Sequence, residues 1–450
     1  MIRTLRDGLA AVIRRFPGLG PVVYGAWAFT WRPFLRMALL PFRVDQGPGT
    51  AAEDPELARR TETYNAAAER YFAEYPDPQF LLDKPFSEAR LLPQYLVSVG
   101  TLLAGAKLRP GDTVVEFGAG SCWLSHFLNR YGCRTIAIDI SESALGFGKQ
   151  LFERDPRTNW SLEPRFHAYD GHTLPLDDAT CDRIVVFDAF HHVPNQREVL
   201  AEMHRVLKAD GVVAMHEPGR GHATMPSSVA ETRTTEVLEN ELVIEDLAAL
   251  AEAVGFRTVN VIAAGTTTPY ELPAREIGRF SSGGGWGIYQ YWEKLCSDLA
   301  NRHYILMYKG DSQPTTGRPD ILTCTLDILR PARGVTVKPG ESIAVRLRVT
   351  NRGNTRWLHA GDGASGEGWT RVGVHLYESD RVPRLVDFDW HRAGLGRDVD
   401  PASSVVVDFA LPALSGRGEY ELHFDLVIEG LTWFAERGAS APPRLRVTVE

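Results

Sequence analysis

Apolar residues recur along this chain at two different periods, and the change falls near residue 310. From Pro55 the spacing is helical through "PELARRTETYNAAAERYFAEY" and again through "FSEARLLPQYLVSVGTLLAG". Short, nearly uninterrupted apolar runs then alternate with helical ones. "DTVVEFG", "RTIAIDI", "PRFHAYD", "DRIVVFD" and "VVAMHEP" predict strands. "SCWLSHFLNRYG", "SESALGFGKQLFERD" and "NQREVLAEMHRVLKADG" predict helices, the last ending at Gly211. "IEDLAALAEAVGF" with "RTVNVIA" adds one more unit, and "RHYILMYKG" a late strand. Strands without a polar face, alternating with helices, predict an α/β domain whose parallel sheet is buried on both sides.

The polar stretch "GDSQPTTGRPD" ends this pattern and reads as a linker at 311–320. Beyond it the period is two. Ile343, Val345, Leu347 and Val349 alternate with polar residues, as do Val405, Val407, Phe409 and Leu411, and Tyr420, Leu422, Phe424, Leu426 and Ile428. Turn signals such as "KPGES", "NRGN" and "SGRGEY" separate the runs. Residues 321–450 therefore predict a separate all-β sandwich, close in size to an immunoglobulin-like domain.

Length agrees with several domains, since 450 residues exceed what one core supports. The net charge of −8 disfavours nucleic acid as a partner. The five cysteines are scattered without a CxxC, which predicts reduced thiols, no disulfide framework and no metal site. Charge is uneven. Residues 1–43 carry seven arginines and one acid, Asp7, giving +6, so the remainder sums to −14. The uncharged run Phe16–Trp31 is 16 residues long and broken by Pro and Gly, short of the roughly 20 needed to span a bilayer. Ile2, Leu5, Leu9, Ile13 and Phe16 share a helical face with Arg3, Arg6 and Arg14 elsewhere on the wheel. That pattern at 1–46 suits an amphipathic arm on an anionic membrane surface, or an arm packed on protein.

The chemistry-bearing residues stand where the predicted strands end. Glu116-Phe117-Gly118-Ala119-Gly120 closes the first strand, with glycines where a ligand approaches backbone. A dinucleotide fingerprint would place a third glycine at 123, where Trp123 stands, and Glu116 repels a phosphate but suits an ammonium. Asp139 ends the second strand 21 residues after Gly118 (139 − 118), where a carboxylate accepts from ribose hydroxyls. Asp170-Gly171 ends the third strand, and Asp188 the fourth, ahead of His191 and His192. Such a row implies a ligand with an adenosine and a positive charge but no phosphate.

With these residues in order, the chain resembles a class I S-adenosylmethionine-dependent methyltransferase over roughly residues 85–310. The resemblance rests on Glu116–Gly120, Ile138-Asp139-Ile140-Ser141, Asp170-Gly171 with "TLPLDDATCD", "DRIVVFDAFHHV" and "REVLAEMHRVLKADGVVAMHEPG". It departs at Cys122, where many members have glycine. The resemblance implies a Rossmann-like domain over 55–310, with a cofactor core at 110–220 and a late antiparallel strand. It implies S-adenosylmethionine held by Glu116 (amino group), Phe117, Gly118, Ala119 and Gly120 (methionine part), Asp139 and Ile140 (ribose), Asp170 and Gly171 (adenine), and Asp188. Its chemistry is methyl transfer from a sulfonium. An oxygen acceptor profits from a base, for which His191, His192, His216, His222 and Glu217 are the candidates.

"RFSSGGGWGIYQYWEK" at 279–294 reads either as a lid over the acceptor or as a loop with aromatics anchoring a helix. The tail segments "RVTNRGNTRWLHAG" and "GEYELHFDLVIEGLTWF" resemble immunoglobulin-like domains fused to bacterial surface-polysaccharide enzymes. Trp357, Trp369, Trp390 and Trp433 there serve either as a sugar-holding face or as core, with at least two of the four expected in the core. The combined expectation is a cytoplasmic enzyme, peripheral on the inner face of a membrane through 1–43. Its acceptor is a saccharide or cell-surface glycan. The alternatives are a small lipid-like or quinone-like acceptor, and a non-catalytic binding scaffold.

Overall fold

The computed structural model describes residues 56, 59–264, 270–283, 286–359, 366–379, 382–438 and 442–450. The expected arm at 1–46 lies outside them, as does Gly265. The chain divides into a unit ending at Asp311 and a second unit, Ser312–Glu450.

The first unit opens with α1 (Thr61–Ala73), α2 (Pro78–Leu82) and α3 (Leu92–Ala106). Then β1 (Thr113–Phe117), α4 (Trp123–Tyr131), β2 (Arg134–Asp139), α5 (Glu142–Arg154), β3 (Arg165–Ala168), β4 (Cys181–Phe187), α6 (Gln196–Val206) and β5 (Leu207–Pro218) alternate. α7 (Pro226–Thr235), α8 (Ile244–Ala253), β6 (Thr258–Val261), α9 (Ile277–Ser281), α10 (Trp286–Asn301) and β7 (Arg302–Tyr308) complete it. Turn chemistry sets the boundaries. Ser141 Oγ caps α5 by accepting from Ala144 N at 3.0 Å. Gly132 ends α4 at φ +109, a conformation glycine adopts without strain.

The seven strands run in the order β3-β2-β1-β4-β5-β7-β6. β1 is parallel to both β2 and β4, and β7 is antiparallel to both β5 and β6. This is a Rossmann-like sheet with a late antiparallel strand. Strand order reverses between β1 and β4, the place where such sheets open a crevice beyond their C-terminal ends. Val115, Ile136, Ile138, Ile184, Val186, Val213 and Met215 are fully or almost fully buried, as expected for strands covered on both faces. One boundary differs from the sequence reading. The helix ends at Val206, not Gly211, because Leu207 pairs with Cys181 and extends β5 through "LKADG".

The second unit holds a sheet of three strands, β8 (Cys324–Arg330), β10 (Ile343–Asn351) and β13 (Ser404–Leu411), ordered β13-β10-β8. A larger sheet orders β12 (Arg384–Gly394), β11 (Thr370–Glu378), β14 (Gly418–Ile428), β16 (Arg444–Val449) and β9 (Val335–Val337), with β15 (Thr432–Trp433) pairing β14. Alternate residues of β10 and β13 meet those of β11, β14 and β16 in one core. One correction follows here, and one expectation, tryptophans in the core, is met. Residues 312–320 are no free linker, since Thr316 is fully buried and its N–H donates to the Arg356 carbonyl at 2.9 Å. The four tryptophans form no exposed face. Trp357 and Trp433 are buried, Trp390 packs on the core, and Trp369 lies against the Arg371 guanidinium.

Candidate functional site

A cavity of about 290 Å³ opens at the reversal of strand order. Its floor is the loop from Glu116 to Ser121, with Trp123 beyond. Gly118 at φ +67 and Gly120 at φ +51 take the left-handed backbone that glycine permits. A Cβ on Gly118 would stand 2.4 Å from the Ala189 Cβ, so no side chain fits there.

Glu116 is only 4% exposed. One carboxylate oxygen accepts from Ser125 N at 2.7 Å, at the start of α4. Burial pushes its carboxyl up to about 8, against the opposing pull of Ser125. Asp139 is equally buried, and its two oxygens accept from Gly120 N at 2.8 Å and Ser141 N at 2.9 Å. Burial raises its pKa as well. Two carboxylates in one desolvated cavity call for a ligand bearing a cation and hydroxyl donors. Ser121 Oγ and Asn195 Oδ1 are buried with no hydrogen-bond partner among the described residues, and both residues line the cavity. These unspent polar atoms, with bare backbone at 118 and 120, fit S-adenosylmethionine: a nucleoside, an amino group and a sulfonium.

Phe117, Ala119, Ile140 and Gly171 also line the cavity, and Tyr169 meets Phe117 edge-on at 5.5 Å. Asp170 does not line it. Its carboxylate is exposed and caps its own turn, accepting from His172 N and Thr173 N, both at 2.8 Å. Tyr169 and Gly171 face the cavity in its place. Asp188 lines it in a left-handed conformation, φ +51, ion-paired to Arg302. Burial opposes its charge, but His216 and Arg302 hold its carboxyl well below the usual range.

The histidines divide. His192 lines the cavity, while His191 and Glu217 are buried behind it. Glu217 accepts from Ala189 N, Phe190 N and His191 Nδ1 at 3.0, 2.8 and 2.7 Å. It therefore positions the loop after β4. Burial works against charge on His191, yet the pairing with Glu217 leaves its pKa raised. Burial, then the neighbouring His191, bring His192 down to about 4, so it is neutral. His216 packs flat on Phe187, away from the cavity.

Cys122 carries φ +58 yet does not line the cavity. A Cβ on Gly148 would come 2.3 Å from its sulfur, so Gly148 on α5 makes the room the thiol needs. Trp123 does not disturb helix packing; it stacks on Tyr95 at 6.1 Å and meets Phe187 edge-on. The 279–294 segment contributes nothing to the cavity among the described residues. Tyr270, Phe280 and Tyr291 cluster with each other instead, at 5.8–6.1 Å, which matches the anchoring reading.

Sequence reasoning missed one wall. α1 lies over the glycine loop, with Asn65, Ala68 and Phe72 lining the cavity. Glu69 fixes the helix there, accepting from the hydroxyls of Ser141 at 2.6 Å and Ser143 at 2.5 Å. The signal was the i, i+3, i+7 spacing of 65, 68 and 72, which marks one helical face.

Residues 115–215 match the family model described as Methyltransferase domain. That match places a methyltransferase domain at 115–215, within the first unit. Among curated relatives, the chain is 29% identical over 172 residues to an uncharacterised 37.1 kDa protein of a Streptomyces fradiae transposon, covering 36% of this chain and 48% of that protein. It is 30% identical over 107 residues to the demethylmenaquinone methyltransferase of Clavibacter sepedonicus, covering 24% and 41%. The chain thus spans less than half the length of these curated relatives. A solved structure of Haemonchus contortus phosphoethanolamine N-methyltransferase 2 with S-adenosyl-L-methionine is 15% identical, covering 48% of this chain and 53% of that one, with a TM-score of 0.34.

Proposed function

We propose that the protein transfers the methyl group of S-adenosylmethionine to a hydroxyl of a small acceptor with an apolar ring, of the quinone-like or lipid-like class. The observation that carries the transfer is the shared cavity of Glu116, Asp139 and the bare glycine loop. When bound, S-adenosylmethionine supplies an electrophilic methyl on a sulfonium. Glu116 would hold its amino group and Asp139 its ribose. The chain's remaining task is to align the acceptor and exclude water. Aromatic side chains suited to that task are Tyr71 and Phe72 of α1, Tyr95 of α3, Trp123 and Phe187, all lining the same cavity. They favour a planar apolar acceptor over a polyhydroxylated one. One relative, a demethylmenaquinone methyltransferase, is named for a quinone-like acceptor, which supports the acceptor class and not the hydroxyl. At this corner neutral His192 offers a nitrogen to the acceptor's hydroxyl proton.

A second reading, a saccharide or cell-surface glycan acceptor, keeps the tail's likeness in sequence to domains of polysaccharide enzymes. The buried tryptophans weaken it. In either reading the basic arm at 1–43 would bring the enzyme to the cytoplasmic face of an anionic membrane. Loss of co-sedimentation with anionic vesicles on deleting it would support that placement, and retention would remove it.

The deciding experiment is transfer of labelled methyl to two extracts of the cell envelope, one lipid and one glycan. Label in a lipid-soluble methyl ether supports the first reading, and label only in glycan replaces it with the second. Asp139→Ala should weaken cofactor binding by about 1–3 kcal/mol in calorimetry; an unchanged affinity would displace the site.

A further inference from the structure

We infer that His191, His192 and Glu239 form a binding site for one divalent transition-metal ion of the zinc class, beside the acceptor end of the cavity. No sequence motif marks it, because Glu239 stands 47 residues beyond His192 (239 − 192) and only the fold unites them. One nitrogen of each imidazole and one Glu239 oxygen lie within 4.8 Å of one another, and the site is empty.

Three features distinguish this cluster from a chance grouping. The first is spacing. Glu239 Oε2 stands 3.7 Å from His191 Nε2, and Glu239 Oε1 approaches the His192 imidazole at its other nitrogen, Nδ1, at 3.5 Å. Two ligand atoms about 2.0–2.1 Å from one tetrahedral ion sit about 3.3 Å apart, so the His191–Glu239 pair needs a small shift and His192 a turn of its side chain within the 4.8 Å grouping.

The second is support behind every ligand. His191 Nδ1 bonds Glu217 at 2.7 Å, which leaves Nε2 as its lone-pair nitrogen, turned to Glu239. His192 Nδ1 donates to the Leu238 carbonyl at 2.5 Å, which leaves its Nε2 as the lone-pair nitrogen. Glu239 bonds His222 Nε2 at 2.7 Å. Metal-ligating imidazoles and carboxylates are held in this way, with the outer partner fixing tautomer and direction.

The third is charge. Glu217 and Glu239 are both buried, at 0% and 5% side-chain exposure. Among the described residues, neither has a Lys or Arg ion-pair partner, only imidazoles. A dication balances the two carboxylates.

Two imidazoles and one carboxylate select a transition metal over magnesium, which prefers oxygen ligands. Three protein ligands leave a fourth position open, the arrangement of catalytic rather than structural zinc. His192 borders the cavity, so the cluster lies at its edge. There the ion would bind the acceptor's hydroxyl and lower its pKa so that the proton passes to solvent before methyl transfer, replacing His192, which cannot act as a base while it ligates the ion. This last step rests on the methyl-transfer reading; the metal site itself does not.

The test uses the full chain, stripped with chelator and dialysed. Zn²⁺ titrated in a calorimeter should bind at one equivalent, and Co²⁺ should give the intense visible bands of a tetrahedral site. Glu239→Gln, nearly isosteric, should abolish the bands. Glu217→Gln should weaken Zn²⁺ binding about 10–100-fold. S-adenosylmethionine binding, measured on the same samples, reports folding and tests the cofactor site separately. Cofactor binding without Zn²⁺ binding overturns the inference, with protonated imidazole then balancing the carboxylates. Equal Zn²⁺ binding by wild type and Glu239→Gln also overturns it. Zn²⁺ binding without cofactor binding upholds it and defeats the methyl-transfer reading instead.

Discussion

Glu116 illustrates how much one buried carboxyl decides. Its pKa is pushed up to about 8, while an ammonium-bearing ligand binds the ionised form. Cofactor affinity should therefore fall as pH drops below about 8, by at most about tenfold per pH unit. Calorimetry from pH 6 to 9 would show the slope, and Glu116→Gln should flatten it while lowering affinity throughout. The same residue acts on stability with the opposite sense. A raised carboxyl in the folded chain contributes stability below its ordinary value of 4.5, and that contribution is lost as pH rises through about 8. Residue identities at strand ends were legible in the sequence because period and spacing put Glu116, Asp139 and Asp188 at one sheet edge. The exposure of Asp170 was not, since a turn's own N–H groups compete for a short carboxylate and no pattern reveals which wins.

Between elements, α4 and α5 share a contact that repairs a departure from the family pattern. Cys122 holds a left-handed backbone, and Gly148 gives its sulfur space. Gly148→Ala should cost about 1–3 kcal/mol through overpacking. Adding Cys122→Gly should recover most of it, because glycine suits φ +58 and removes both clashing atoms. Denaturant melts of the two single variants and the double variant form the cycle that checks this. Neither half was legible in sequence, where Cys122 reads as an isolated exception and Gly148 as an ordinary helix-weakening residue. Helix α1 was legible as a helix but not as a wall of the cavity, since amphipathic spacing identifies a buried face without naming what buries it.

At the scale of the molecule, each unit has its own core. The tail core draws only on residues from Leu322 onward. Residues 312–450 expressed alone should unfold cooperatively in a thermal scan, and a chain ending at Asp311 should keep its cofactor affinity; loss of either would show that the units depend on each other. The tail's sandwich was legible because alternation of Ile343, Val345, Leu347 and Val349 survives as alternate burial along β10. Its tryptophans were legible in part: at least two were expected inside and Trp357 and Trp433 are buried, but which two was not, since aromatic residues serve a core or a binding face.

The buried pair of acids has one more implication, for how firmly the fold holds. Without a ligand, Glu116 and Asp139 are desolvated carboxyls whose ionisation burial opposes, with a few hydrogen-bond donors for company. Whatever cation settles between them stabilises the native form by mass action. The domain's unfolding free energy should therefore climb with the concentration of added methyl donor, by RT ln(1 + [L]/Kd), and a melt recorded with none present reads the scaffold's unassisted strength.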